Sequence, residues 1–192
     1  GGKSGSTIVN HIQKFSFATS GTNNATDVAD LTVARAGHPA GASSSTHGYT
    51  AGGGENTTID KFPFESDSNA TDVGDCDSFT SAAGTSSLTH GYIIGGADPV
   101  SSNIRKYSFA TDGDSVDGGA DLSTGRHALT GVSSETHGYS AAGYNDGAYP
   151  PGQPNSATET IEKFAYVTDS NATDVGDLVG WKWYSSNTGS QV

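Results

Sequence analysis

The tripeptide His-Gly-Tyr, followed at a fixed distance by a pair of small residues, constrains this chain more than any other feature. It occurs as HGYTAGG at 47–53, as HGYIIGG at 90–96 and as HGYSAAG at 137–143. Each copy leads into a segment of the form Ile-x-Lys-aromatic-x-aromatic. These segments begin at Ile12, Ile59, Ile104 and Ile161, at intervals of 47, 45 and 57 residues. An Asp-rich segment follows each one, at 25–31, 70–76, 115–122 and 172–178. A period of this length sets the architecture before any single residue is interpreted. Four units fill the 192 residues. The long third interval reflects one insertion, Tyr144 to Thr158, rich in Pro, Gly and Asn.

Each unit reads as four short strands. The first is a small-residue run such as 40–45. His-Gly is expected to form a two-residue turn, because Gly takes positive φ without steric cost. The second strand is Gly-Tyr-x-x-Gly-Gly, whose last glycines end the strand or let neighbours approach closely. The third carries Ile on one face and two aromatics on the other, at period two. The fourth lies in or just after Thr-Asp-Val-Gly-Asp. Apolar residues on both faces require cover on both sides. One small sheet cannot supply that, so copies must pack face to face, and radial repetition is one stable way to do it.

The order of small-residue strand, turn, aromatic, Gly-Gly, aromatic strand and basic residue resembles the kelch repeat. Arg35, Arg126 and Lys182 stand at the basic position, where the second unit has Thr80. The kelch Trp is absent, and Asn-Ala-Thr-Asp-Val-Gly-Asp occupies its place. The resemblance implies an all-β, kelch-like β-propeller. Its four four-stranded blades would be units of about 1–31 plus 179–192, 32–76, 77–122 and 123–178; an excerpt of a larger propeller is the alternative. The wording of the repeat is also similar to repetitive marine bacteriophage reading frames, some of them virion tail or fibre components.

Gly1-Gly2 reads as the end of a second strand that runs straight into strands three and four. Gly189-Ser-Gln-Val192 placed before it restores Gly-Tyr-x-x-Gly-Gly with Ser190 for Tyr. The closing blade is therefore expected to be shared between the two ends of the chain, an arrangement that removes an exposed sheet edge. Trp181-Lys-Trp183 marks the last unit as atypical, as terminal repeats are. The chain has no Met, so Gly1 reads as the start of a processed chain or of an excerpt.

The net charge of −12 speaks against nucleic acid, whose phosphates would be repelled, and against anionic membranes. No apolar run approaches the ~20 residues that span a bilayer. Regularly placed aromatics oppose disorder, although only 32% of residues are hydrophobic. Cys76 replaces the Leu of its sister units and reads as a small buried apolar residue.

Several residue sets have the composition of a site. His47, His90 and His137 would lie at one radius of a ring, and three histidines can hold zinc. Turn formation is the plainer reading. Asp67/Asp72/Asp75, Asp112/Asp114/Asp117/Asp121 and Asp169/Asp174/Asp177 offer oxygens at calcium-like spacing, or build turns. Asn24, Asn56, Asn69 and Asn171 begin Asn-x-Thr triplets, which are glycan acceptors or turn residues. Arg35, Arg126 and Lys182 are expected to pair across blades with Asp30, Asp121 and Asp177. Trp181 and Trp183 read as packing residues. The insertion is the candidate binding loop, through Tyr144, Asn145, Asp146, Tyr149 and Asn155, since insertions in repeat arrays gather on one face.

No metal or cofactor site is assigned, and no hydrolase, metalloprotease or phosphate-loop motif appears. The expectation is therefore a non-enzymatic structural and recognition module. It would belong to a virion or cell surface, virion or extracellular in location, and bind host-surface glycan or other virion or surface proteins. A multivalent lectin and a calcium-dependent extracellular adhesin are the alternatives.

Overall fold

A computed structural model describes residues 1–16, 25–145 and 157–182, and every regular element in them is a β-strand. The first unit contains β1 (Gly2–Ser4), β2 (Thr7–Val9), β3 (His11–Lys14) and β4 (Thr26–Asp30). The second has β5 (Ala40–Ser43), β6 (His47–Ala51), β7 (Thr58–Pro63) and β8 (Thr71–Asp75). The third has β9 (Ala83–Ser86), β10 (His90–Ile94), β11 (Asn103–Ser108) and β12 (Val116–Asp121). The fourth has β13 (Thr130–Ser133), β14 (His137–Ala141), β15 (Thr158–Ala165) and β16 (Thr173–Lys182).

The last three units are antiparallel four-stranded meanders, in the orders β5-β6-β7-β8, β9-β10-β11-β12 and β13-β14-β15-β16. A register shift recurs where the third strand meets the fourth, at Ile59/Asp60, Ile104/Arg105 and Ile161/Glu162, and at Ile12/Gln13 in the first unit. Each fourth strand thus carries a bulge opposite the step after the third-strand Ile, as at Val28 and Val73, and bulges increase local twist.

Two details differ from expectation. The hairpin turn is not His-Gly. Ser44 N–H donates to His47 O at 2.9 Å, which leaves Ser45 and Thr46 as the turn and starts β6 at His47. The glycine serves packing instead, since a Cβ on Gly48 would lie 2.4 Å from the Phe62 ring. Gly91 under Tyr107 and Gly138 under Phe164 repeat this at 2.3 Å. The third-strand aromatic lies flat across the second strand, and only glycine leaves room for it. Second, the first unit does not run straight into its third strand. The hairpin β1–β2 intervenes.

Neighbouring sheets meet through their first strands, β5 against β9 and β9 against β13. The approach is very close. A Cβ on Gly84 would lie 2.0 Å from Gly41 O, and one on Gly131 2.4 Å from Gly84 O. Ser43 N–H donates to Ser86 Oγ at 2.8 Å, and Ser86 N–H to Ser133 Oγ at 2.9 Å. The apolar core is correspondingly divided. One cluster joins Tyr49, Ala51 and Ile59 to Phe79, Ile93 and Tyr107; the next joins Tyr92, Ile94 and Ile104 to Leu129 and Phe164. Each is a layer between consecutive sheets, as a stacked-repeat architecture requires. Tyr49 stacks on Phe109 (4.6 Å, 24°) and Tyr92 on Tyr166 (4.8 Å, 25°), both across these layers.

Candidate functional site: one end of the sheets

Each meander has two ends, and they differ in kind. At one end the hairpin turns are near copies. Ser44, Ser87 and Ser134 accept the His47, His90 and His137 N–H through Oγ at 3.0, 3.0 and 3.1 Å. Thr46, Thr89 and Thr136 hold the three His Nδ1 atoms at 2.8 Å. Each ring is thus fixed at its own turn. Burial, reinforced by Lys106, lowers the His90 pKa below the ordinary value. Among the described residues, no three His, Cys, Asp or Glu side chains converge as a metal-binding group.

At the other end, the second strand returns to the third by connections of very different length. Equivalent bonds close them: Gly1 N to His11 O, Gly52 N to Thr58 O, Gly95 N to Asn103 O and Ala142 N to Thr160 O. The first unit inserts the β1–β2 hairpin here, and the fourth inserts the segment from Tyr144. Both insertions therefore emerge from one end of the array. The glycines allow the exit, with Gly52 and Gly95 at φ 63° and Ala142 held at 61°. Tyr144 is anchored at the base of its loop. Its backbone bridges His127 and Ala157, and its ring meets His127 edge-on at 5.2 Å. Asn145 follows it. Asp146, Tyr149 and Asn155 lie outside the described residues, as do Trp183 and Gly189–Val192.

Beneath this end lie two buried ion pairs whose partners differ from those the sequence pattern suggests. Arg35 pairs with Asp60, not Asp30, and Arg126 with Glu162, not Asp121. The acids sit on the third strand of the arginine's own sheet, at the x of Ile-x-Lys. The Asp121 carboxylate instead accepts from Ser102 Oγ at 3.2 Å, within its own unit. Arg35 also donates to the carbonyls of Thr50, Gly52 and Thr58 at 3.2, 3.1 and 3.0 Å. Arg126 donates to Ser140 Oγ at 3.1 Å, and Ser123 N–H donates to Glu162 at 2.8 Å. Burial lowers the Arg35 pKa, and the neighbouring Asp60 opposes the shift. In the third unit the third-strand residue is basic instead, and its partner is an exposed acid at another position of the repeat. Arg105 takes the acid's place on β11 and binds Asp77 at 2.7 Å. Phe79 is buried near where the arginine of the other units lies, over Gly52. Lys182 belongs to β16, where its backbone is paired with Thr158.

The Asp-rich segments join sheet to sheet. Asp30, Asp75 and Asp121 donate N–H to the side chains of Asn69, Asp114 and Asn171 at 3.0, 2.9 and 3.2 Å. Their carbonyls accept from Ala70, Ser115 and Ala172, each at 2.8 Å. Lys14, Lys61 and Lys106 reach Asp67, Asp112 and Asp169 of the following unit. Asp72, Asp117 and Asp174 accept from Gly74, Gly119 and Gly176 two residues on, at 3.2, 2.8 and 3.0 Å, an Asx turn. The acids thus serve as latches and turns.

No protein-family model matches the chain, and no curated protein matches it.

Proposed function

We propose that this protein is a non-catalytic recognition module. Its units act as blades of a kelch-like ring, and its variable end binds glycan or protein at a virion or cell surface. The observation that supports this reading is the contrast between the two ends. One end repeats the same Ser-Thr-His turn in three units. The other carries both insertions, over a floor of buried ion pairs. Rigid floors with variable loops are how repeat scaffolds present binding surfaces. The net charge of −12 directs the reading away from phosphate-rich partners.

The test is a glycan array and a surface-protein pull-down with two proteins: the native chain, and a variant whose residues 144–157 are replaced by the short connection 53–57. Binding by the native chain, lost in the variant with its melting temperature unchanged, is the expected result. Equal binding by both overturns the assignment of the loop. Saturation at four equal sites in calorimetry identifies a multivalent lectin instead.

A further inference from the structure

Arg35 and Arg126 fill equivalent sockets in the second and fourth units. The Arg35 guanidinium meets the carbonyls of Thr50, Gly52 and Thr58 and the Asp60 carboxylate. Arg126 meets Ser140 Oγ, Thr160 O and Glu162. The repeat carries this wall into the third unit residue by residue. Thr50 corresponds to Ile93, three residues after the His of each His-Gly-Tyr. Gly52 corresponds to Gly95 and Thr58 to Asn103, because the same bond closes each connection, Gly52 N–H to Thr58 O and Gly95 N–H to Asn103 O. Asp60 corresponds to Arg105, the residue after the third-strand Ile.

The arginine itself has no counterpart. The linker into the third unit, residues 77–82, reads Asp-Ser-Phe-Thr-Ser-Ala. Thr80, at the basic position, donates its hydroxyl to Asp98 Oδ2 at 3.0 Å. A cavity of about 150 Å³ lies here instead, and Ile93, Gly95, Asn103 and Arg105 all line it, together with Asp77 and Phe79. The four counterparts of the Arg35 partners thus surround one open space, with room for several waters or one small ring.

The chemistry of the walls narrows the occupant. The backbone that accepts from a guanidinium in the second unit calls for donors. A cation placed there would meet Arg105 where Arg35 meets an acid. An anion would have to compete with Asp77, which already holds Arg105 at 2.7 Å, while Arg105 also donates to Ser115 Oγ and O. A neutral hydroxyl fits both walls, since it donates to a carbonyl and accepts from a guanidinium. The exposed Asp77 carboxylate adds an acceptor, and Phe79 and Ile93 add apolar surface for ring C–H groups.

We propose that this vacated socket binds one neutral sugar residue through its hydroxyls. It lies at the variable end, between the linker 77–82 and the connection that follows Gly95. The inference rests on the recognition reading above and deepens it, assigning a single site to the third unit, apart from the insertion that begins at Tyr144.

The test is saturation-transfer NMR titration of the native chain with glucose, galactose, mannose and N-acetylglucosamine. Guanidinium chloride, far below denaturing concentration, and sodium acetate serve as charged competitors. The expected result is saturable one-site binding of a neutral sugar that neither ion displaces. Ser78→Trp, which blocks the mouth from an exposed position, and Asp77→Ala should each weaken it about tenfold, with circular dichroism verifying the fold. The variant with residues 144–157 replaced should bind like the native chain. Binding of none of the four sugars, displacement by either ion, or binding unchanged in either point variant overturns the inference. Binding lost with the insertion but kept in Ser78→Trp overturns it too, while sparing the recognition reading. Failure here beside a positive glycan array or pull-down likewise removes this site alone, whereas failure in all three removes both.

Discussion

At the residue scale, the third strand decides most. Asp60 and Glu162 are fully buried and each faces an arginine, so removing one partner strands a charge. Glu162→Gln is expected to destabilise by about 3–5 kcal/mol, measured by denaturant unfolding. Arg126→Met combined with Glu162→Leu should recover much of that loss, because an apolar pair leaves nothing uncompensated. The Arg105–Asp77 pair of the third unit is a different case: Asp77 is 62% exposed, so breaking this pair should cost far less. Gly91→Ala is the steric counterpart. Its Cβ would meet the Tyr107 ring at 2.3 Å, and Tyr107 is only 3% exposed, so the ring has nowhere to go. A loss of about 1–3 kcal/mol in the same assay is expected, and an unchanged midpoint would mean that the ring can yield. The positions of Arg35 and Arg126 are legible in the sequence, but their partners are not. Position follows from the period, whereas partnership depends on which strand lies over which. The informative signal is the x of Ile-x-Lys, where Asp60 and Glu162 accompany Arg35 and Arg126, whereas Arg105 accompanies Thr80 at the basic position. The glycine of His-Gly-Tyr is legible as indispensable, but the reason is not, because a ring arriving from a strand many residues away leaves no local trace.

At the element scale, the four-strand unit is readable because period-two patterning and glycine punctuation are local. The inserted β1–β2 hairpin is not, since Lys3–Asn10 lacks the repeat and its Ser4-Gly5 turn signal is flanked by strands of only three residues. The Asp-rich segments are readable as turns, and Asp72, Asp117 and Asp174 do build them. Their second role, holding the next sheet, is invisible to local reading because it spans an entire unit. It predicts an uneven hierarchy. Lys14–Asp67 is an exposed pair, so Lys14→Ala should change stability by less than about 1 kcal/mol and lose even that in high salt. Asn171→Ala removes the acceptor for Asp121 N–H while keeping the backbone bond from Ala172. It should cost about 1 kcal/mol and be insensitive to salt. If the two substitutions respond to salt alike, the latch is electrostatic throughout and the hydrogen bond contributes nothing of its own.

At the scale of the whole molecule, stability resides in thin apolar layers between sheets, each lined by tyrosines. Burial pushes the Tyr92 phenol up to about 12, and raises Tyr107, Tyr49 and Tyr166 above the ordinary value of 10.0. The Cys76 thiol is raised to about 12 by the same cause. These groups resist ionisation in the folded chain and ionise at their usual values once unfolded. The folded state therefore holds its protons more tightly, and the sign follows from linkage. The stabilisation is whole below about pH 10 for the tyrosines and below about pH 9 for the thiol. It is lost as pH climbs towards about 12. Since the tyrosines are distributed over successive layers, losing one layer exposes the next. Alkaline titration should show tyrosinate absorbance rising together with loss of the β-sheet circular dichroism signal, in one transition between about pH 10 and 12. A gradual absorbance rise centred near pH ~10, with the sheet signal intact, would mean that water already reaches the phenols and that the layers are not what holds the units together.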